Sequence, residues 1–227
     1  AIDMLKYTPG MNVNSNDASG LSGIDYTMRG MNSDQIGLSM DGIPINDSGN
    51  YAVYPNLLGD AENLEQIFVT QGSSEADGPH IGSSGGNIGL VTKRPSTFAR
   101  LETGEYNGFS NWLSYSHTEA KKWRGEGRNY SDKFEMNSLY EDGNGNSSNL
   151  IMKYNRQDNS NYNTLSKAQF EEDPRQDYST TPVYNSKGQL SKYYKLNRNP
   201  FETFTLSFTQ RLQLRDNLAL TVQPYYY

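Results

Sequence analysis

Phe204, Leu206, Phe208 and Leu212 alternate with Thr205, Ser207, Thr209 and Arg211, so one face of the segment is mostly apolar and the other polar throughout. A period of two predicts strands. Leu218, Leu220 and Val222 repeat the pattern against Ala219, Thr221 and Gln223, and weaker copies occur at Leu113 with Tyr115, Met136 to Tyr140, and Leu150, Met152 and Tyr154. A soluble sandwich would hide the apolar face inside. A large barrel would turn it outward to lipid and leave the polar face in a wet lumen. Periodicity alone leaves both open.

Up to about Pro95 the pattern is different. Short apolar bursts, Ile36-Gly37-Leu38-Ser39-Met40 and Gln66-Ile67-Phe68-Val69-Thr70, stand among Gly, Ser, Asn and Asp, and "NLLGDAEN" (56–63) has room for a single helical turn before Leu64-Glu65. Strands bounded by turn residues in this way predict a small α+β unit over 1–95, followed by a sheet of longer strands over 96–227. In the second region "EDGNGNSS" (141–148) and "LRDN" (214–217) are short turns, whereas Gln157 to Pro200 is a long polar excursion. Short turns at one end and long loops at the other fit an outer-membrane barrel, and Trp112, Tyr115 and Tyr225 to Tyr227 fit its interfacial aromatic girdles.

Composition narrows the chemistry. The 227 residues hold no Cys and two His and carry a formal net charge of -6, with a mean hydropathy of -0.82. Nucleic acid is not an expected partner, because its phosphates call for clustered Lys and Arg. Without Cys there is no disulfide framework and no thiolate metal site. The start, AIDMLKYTPG, does not read as a signal peptide, and no apolar run reaches the ~18 residues of a membrane helix, a test that barrel strands escape.

Local motifs offer little catalysis. "GSSGGNIG" (82–89) lacks the Lys-Ser/Thr of a phosphate loop and leads into the strand-like Leu90-Val91-Thr92. Asp142, Asn144 and Asn146 mimic the opening of a calcium loop, yet Ser147 stands where Gly is required and Lys153 where the bidentate Glu belongs. His80 and His117 are isolated in sequence, with no zinc pair and no Ser-His-Asp grammar. The expectation is a protein that is not an enzyme and has no cofactor and no metal ligands.

"LKYTPGMNV" (5–13), "YTMRGMNSDQIGLSMDGIPI" (26–45) and "LEQIFVTQGSSEADGPHIGSSGGNIGLVTKRP" (64–95) resemble the plug domain of TonB-dependent outer-membrane receptors. The order is that of the family: a Pro-Gly segment, an Arg-Gly junction, an Asp-Gly-x-Pro turn, an Ile-Glu-x-Val-like segment, and a Gly-Gly stretch before Thr-Lys. Gln71-Gly72-Ser73 replaces the usual Arg-Gly-Pro and Asn87-Ile88-Gly89 the usual Ile-Asn, so the family's plug-to-barrel salt bridges are not carried over. The resemblance implies an α+β plug inside a transmembrane antiparallel barrel of the 22-stranded type, of which about six strands fit in this chain. The chain is therefore expected to be a fragment, with the TonB box upstream. Thr97 to Glu102 reads as an inward strand, which predicts that an outward strand is missing near Ser96.

The same resemblance implies active import of a ferric siderophore or similar iron chelate across the bacterial outer membrane. Its partners would be TonB with the inner-membrane energising complex, the chelate and outer-membrane lipid. The segment 101–127 leans toward ferric-citrate-type receptors. Haem, cobalamin, another metal or an oligosaccharide as cargo, and a passive porin-like or adhesive barrel, are the alternatives. The candidate substrate-binding residues are Arg29, Asn46, Asp47, Tyr51, Tyr54 and His80, with Arg29 and the 46–54 loop expected to rise toward the extracellular cavity. The 157–200 excursion adds a cationic and aromatic set for capturing anionic chelates: Tyr162, Tyr178, Tyr184, Tyr193 and Tyr194, with Arg175, Lys187, Lys192 and Lys195.

Overall fold

The computed structural model describes residues 2–15, 21, 24–47, 49, 51, 52, 54, 58–72, 80, 83–95 and 108–227. A 3₁₀ turn at Ile2–Tyr7 leads into β1 (Met11–Ser15), β2 (Ile24–Met28) and β3 (Met31–Asn32), an antiparallel sheet in that order. Met28 pairs with Met31, so Arg29 and Gly30 form a two-residue hairpin with φ of 49° and 81°. Both central residues of a type I′ turn need positive φ, which Gly accepts without strain. The device recurs after β4 (Ile36–Met40), where Asp41 at φ 53° and Gly42 at φ 81° turn the chain into β5 (Ile43–Pro44).

β6 (Leu64–Gln71) and β7 (Gly86–Thr92) complete a four-stranded sheet in the order β5-β4-β7-β6, with β4 and β7 parallel and the outer pairs antiparallel. All five residues of β4 are buried. A strand covered on both faces reads as a continuous burst, which explains why IGLSM shows no alternation. Met28, Ile36, Leu38 and Ile88 are fully buried and anchor a core completed by Leu5, Tyr26, Met40, Ile43, Ile45, Leu58 and Leu90. The ring of Phe68 lies over Gly89, where any Cβ would overlap it. The helical turn anticipated across 56–63 is a 3₁₀ turn at Ala61–Asn63, and Asn56 and Leu57 lie outside the described residues.

The second region is an antiparallel wall. It is built from β8 (Gly108–Lys121), β9 (Arg128–Glu141) and β10 (Ser147–Ser160), then β13 (Arg198–Arg215), β14 (Leu218–Val222) and β15 (Tyr225–Tyr226). Between β10 and β13 lie α1 (Lys167–Glu172) and the hairpin β11 (Val183–Tyr184) with β12 (Leu190–Lys192). The wall order is β14-β13-β10-β9-β8, with β15 also on β13. β14 and β15 share one register, since Val222 faces Gln210 and Tyr226 faces Leu206. The break falls at Pro224, which has no N–H to give, although its carbonyl accepts from Phe208. The wall thus has five staves. The inward strand expected at 97–102 lies outside the described residues. β8 starts beside Glu141 at the short-turn end and runs toward the long excursion, so the first described stave is itself the outward-running one.

Alternation separates the two faces of the wall. Ser114, Ser116, Lys133, Lys153, Gln157 and Asn159 point at the N-terminal unit, which fixes their register mates as the inner face. Phe109, Leu113 and Tyr115 occupy the other face and are 67%, 62% and 68% exposed. Trp112 shares the inner register of Ser114 and Ser116, so it is not part of an outer aromatic girdle, contrary to expectation. Tyr115 does belong to the outer face. There Tyr115, Phe134, Tyr154 and Phe204 form an aromatic row across four staves. The next row toward the long-loop end is charged: His117, Asp132, Arg156 and Glu202, each the register partner of the next. Tyr115 donates to Asp132 at 3.1 Å and Tyr154 to Glu202 at 2.8 Å.

Candidate functional site

The seam between unit and wall is polar and organised by Asp41. The left-handed turn aims its carboxylate at both sides of the seam. One oxygen accepts from the backbone N–H of Thr92 at 2.8 Å, and the other from Lys153 Nζ at 2.6 Å. Thr92 Oγ1 adds a further donor at 3.0 Å, and Gln223 Nε2 donates to the Asp41 carbonyl at 2.8 Å. The two side chains of the ion pair are only 8% and 14% exposed. Truncating either one would leave a poorly solvated charge.

A second pair lies two register positions along on the neighbouring stave. Lys133 Nζ reaches Asp60 at 2.8 Å, and Ser116 donates a short hydrogen bond to the same carboxylate. Burial pushes the Asp60 carboxyl up, but the hydrogen bonds and charge of Lys133 and Ser116 outweigh it and hold it below the usual carboxylate value. Glu135 is buried on the same inner face, against Gly59. Further contacts tie the seam at both ends. Asn137 donates to the Lys93 carbonyl at 3.3 Å, and Gln157 to the Leu21 carbonyl at 2.6 Å. Neither Asp41 nor Asp60 was singled out from the sequence. The signal available for Asp41 was the Asp-Gly turn, since Asp tolerates left-handed backbone; for Asp60 there was none.

The six expected binding residues belong to three parts of the fold: the Arg29 hairpin, the 46–54 loop and His80. Asn46, Asp47 and Tyr51 share one loop, and its side chains are largely committed to building it. Asn46 accepts from the N–H of Leu38 at 2.7 Å and donates to the carbonyls of Ile36 and Tyr51, both at 2.9 Å, so it extends the edge of β4 as a strand would. Asp47 caps Gly49 at 2.8 Å, and the backbone closes through Tyr51 N–H to the Asp47 carbonyl. Tyr51 adopts φ 58°, its hydroxyl is buried with no hydrogen-bond partner among the described residues, and desolvation pushes its pKa up. Tyr54 is 39% exposed.

Arg29 stands apart. Leu21, ahead of β2, accepts from Gln157 and Asn159 near the long-loop end, and β2 continues the chain for five residues. Arg29 meets Gly10, to whose carbonyl its N–H donates at 2.8 Å. Its hairpin closes the β2–β3 end of the small sheet beside Gly10. His80 is 7% exposed, neither ring nitrogen has a hydrogen-bond partner among the described residues, and desolvation pushes its pKa down. It lines a cavity of about 970 Å³ between the sheet and the wall, together with Asn87, Arg94, Asn137, Glu141 and Arg211 at the short-turn end.

The long excursion is a folded unit. Lys122, in the β8–β9 turn, meets Asp177 at 2.5 Å with both side chains fully buried, and Ser179 caps the same carboxylate. Ser166 and Gln169 form a capping box that starts α1. Of the expected capture residues, Tyr162 packs under Lys122 and Arg124, Tyr178 donates to Glu172, and Arg175 donates to the Trp123 carbonyl, so these three are structural. Tyr184 and Lys187 lie exposed at the β11–β12 hairpin, and Lys192 in β12 is half-buried.

A small mixed-sheet unit pinned to the polar face of an antiparallel wall whose other face is apolar defines a plugged β-barrel segment. Residues 1–86 match the family model of the TonB-dependent Receptor Plug Domain, and β7 continues that sheet to Thr92. Residues 1–86 thus match the plug-domain family, and the fold of the whole chain is that of a plug beside part of a barrel wall. No curated protein matches the sequence. Among solved structures it is similar to the ferric citrate transporter FecA in the unliganded form, with TM-score 0.76 and 19% identity over 99% of this chain and 36% of that one. It is also similar to the ferric yersiniabactin uptake receptor FyuA from Yersinia pestis, with TM-score 0.67 and 11% identity over 98% and 37%. The copper transporter OprC matches with TM-score 0.66 and 15% identity over 98% and 34%. The chain spans little more than a third of the length of these structures.

Proposed function

We propose that this chain is the plug and part of the barrel of an active outer-membrane importer that takes up an iron chelate and is energised through TonB. The observation that carries the reading is the plug pinned to a polar inner wall by Asp41–Lys153 and Asp60–Lys133. Such a closure blocks a passive pore and must be shifted for cargo to pass. The long-loop end is then extracellular and the short-turn end periplasmic. The chelator satisfies the metal, so the protein offers aromatic and polar groups to the chelator's exterior. Tyr54 and Tyr51 are the part of the 46–54 loop suited to that contact, while Asn46 and Asp47 hold the loop's shape.

The test is titration of ferric citrate and a panel of ferric siderophores onto the detergent-solubilised full-length receptor. Tyr51→Ala with Tyr54→Ala should weaken binding by ~1–3 kcal/mol, the scale of interface aromatics, and Asn46→Ala should weaken it indirectly by loosening the loop. Unchanged affinity in the double variant would move the site elsewhere. Normal growth of a deletion strain on every iron source, with a defect on copper or another cargo, would reassign the substrate.

A further inference from the structure

Glu135 holds an inner-face position of β9, two residues beyond Lys133, and its register partner on β10 is Lys153. Opposite charges placed directly across two strands have Cβ atoms about 4.5–5.5 Å apart and ordinarily attract one another. Here the pair is not made. Lys153 turns its ammonium to Asp41 at 2.6 Å, and neither oxygen of Glu135 has a hydrogen-bond partner among the described residues. The Glu135 side chain is buried and backs onto Gly59 of the plug, where an added Cβ would overlap Oε1. Its other register partner is Ser114 on β8, whose hydroxyl accepts from Asn63 at 3.2 Å.

The seam therefore sets the acids Asp41, Asp60 and Glu135 against the bases Lys133 and Lys153. The plug supplies Asp41 and Asp60, which take both lysines, and the wall's own acid is left over. Burying a carboxyl group without a hydrogen bond is unfavourable, and that penalty falls on the seated plug. A displaced plug takes Asp41, Asp60 and Gly59 with it. Lys153 then loses its partner, and Glu135 loses the backbone that holds it back. We infer that Glu135 is the stand-in partner of Lys153 in the displaced state, so that the wall closes an ion pair on itself as the plug lets go. The exchange leaves one lysine fewer uncovered on the inner wall and makes the seated state easier to leave. Lys133 has no such substitute across the strand, since its register partners are Asn155 and Ser116. The Asp60 pair thus keeps its full pull toward reseating. The inference rests on the import reading, in which the plug must shift, but on no particular cargo.

The test follows denaturant-driven release of the plug from the full-length receptor refolded into bilayers, with circular dichroism to check the barrel. Glu135→Gln keeps the volume and removes the charge. It should lower the equilibrium constant for release about fivefold, which corresponds to one cross-strand pair of about 1 kcal/mol. In the Lys153→Met background the same substitution should lose most of that effect. Glu141→Gln, on the same face of β9 at the short-turn end, should change nothing. Should the Gln variant fail to refold, Glu135→Ala carries the same expectation. An equal effect in both backgrounds would place the action of Glu135 in burial alone and overturn the proposal. So would unchanged release, or easier release, in Glu135→Gln. Release needs neither cargo nor TonB, so chelate titration on the same samples judges the import reading separately: a receptor that binds no chelate would sink that reading and leave the measured coupling in place.

Discussion

β4 of the plug and β13 of the wall are both rich in apolar residues, but they dispose of them in opposite ways. β4 buries all five of its residues. β13 leaves Phe204, Leu206 and Phe208 about 40% exposed while its inner-face Ser207 is covered. The plug hides apolar surface from water by packing on itself. The wall leaves it exposed, which on the proposed reading faces lipid, and keeps its polar groups for the plug side. Apolar content therefore says little until the solvent on each face is known.

The sharpest way to break this comparison is at the seam, where the two arrangements meet. Asp41→Ala should destabilise plug seating by ~3–5 kcal/mol, because it strands the Lys153 charge in a nearly dry place. Denaturant-driven release of the plug from the refolded receptor measures it, and adding Lys153→Met should recover much of the loss. Next come two substitutions matched across the divide. Leu38→Ala should cost ~2–5 kcal/mol in the plug core. Leu113→Arg should cost ~2–4 kcal/mol on refolding into bilayers if it sits near mid-membrane, and it should leave the plug's own transition in place. A plug transition moved by Leu113→Arg would show that the two regions do not fold as separately as their cores suggest.

The smallest effect is pH-dependent. Burial lowers the His80 pKa, so below its ordinary value of 6.5 the unfolded chain binds a proton that the folded plug resists. Stability should therefore fall as pH drops from 6.5 toward the folded pKa and level off beneath it, and His80→Gln should flatten that slope in a thermal-melt series. Asp60 works in the same direction at lower pH, since its depressed carboxyl gives up stability only as pH falls below the ordinary carboxylate range.

Much of the fold was legible because alternation and turn chemistry are local. The two faces of β13, the Arg-Gly and Asp-Gly hairpins and the long excursion could be read directly. Trp112 misled because aromatic type was taken for position, whereas its parity with Ser114 decides which face it occupies. Asp60 and Lys122 were illegible for a deeper reason. Their partners, Lys133 and Asp177, lie far away in sequence, and only the closed fold makes them neighbours.

The seam also has a mechanical meaning. Lys133 and Lys153 stand on adjacent staves, two residues apart in register, so a tug along the staves strains both ion pairs together, like two rivets in one lap joint. A tug that levers the plug away from one stave peels them singly and needs less force. The direction in which the plug is drawn, and not only the strength of the draw, should decide whether it slides or tears loose.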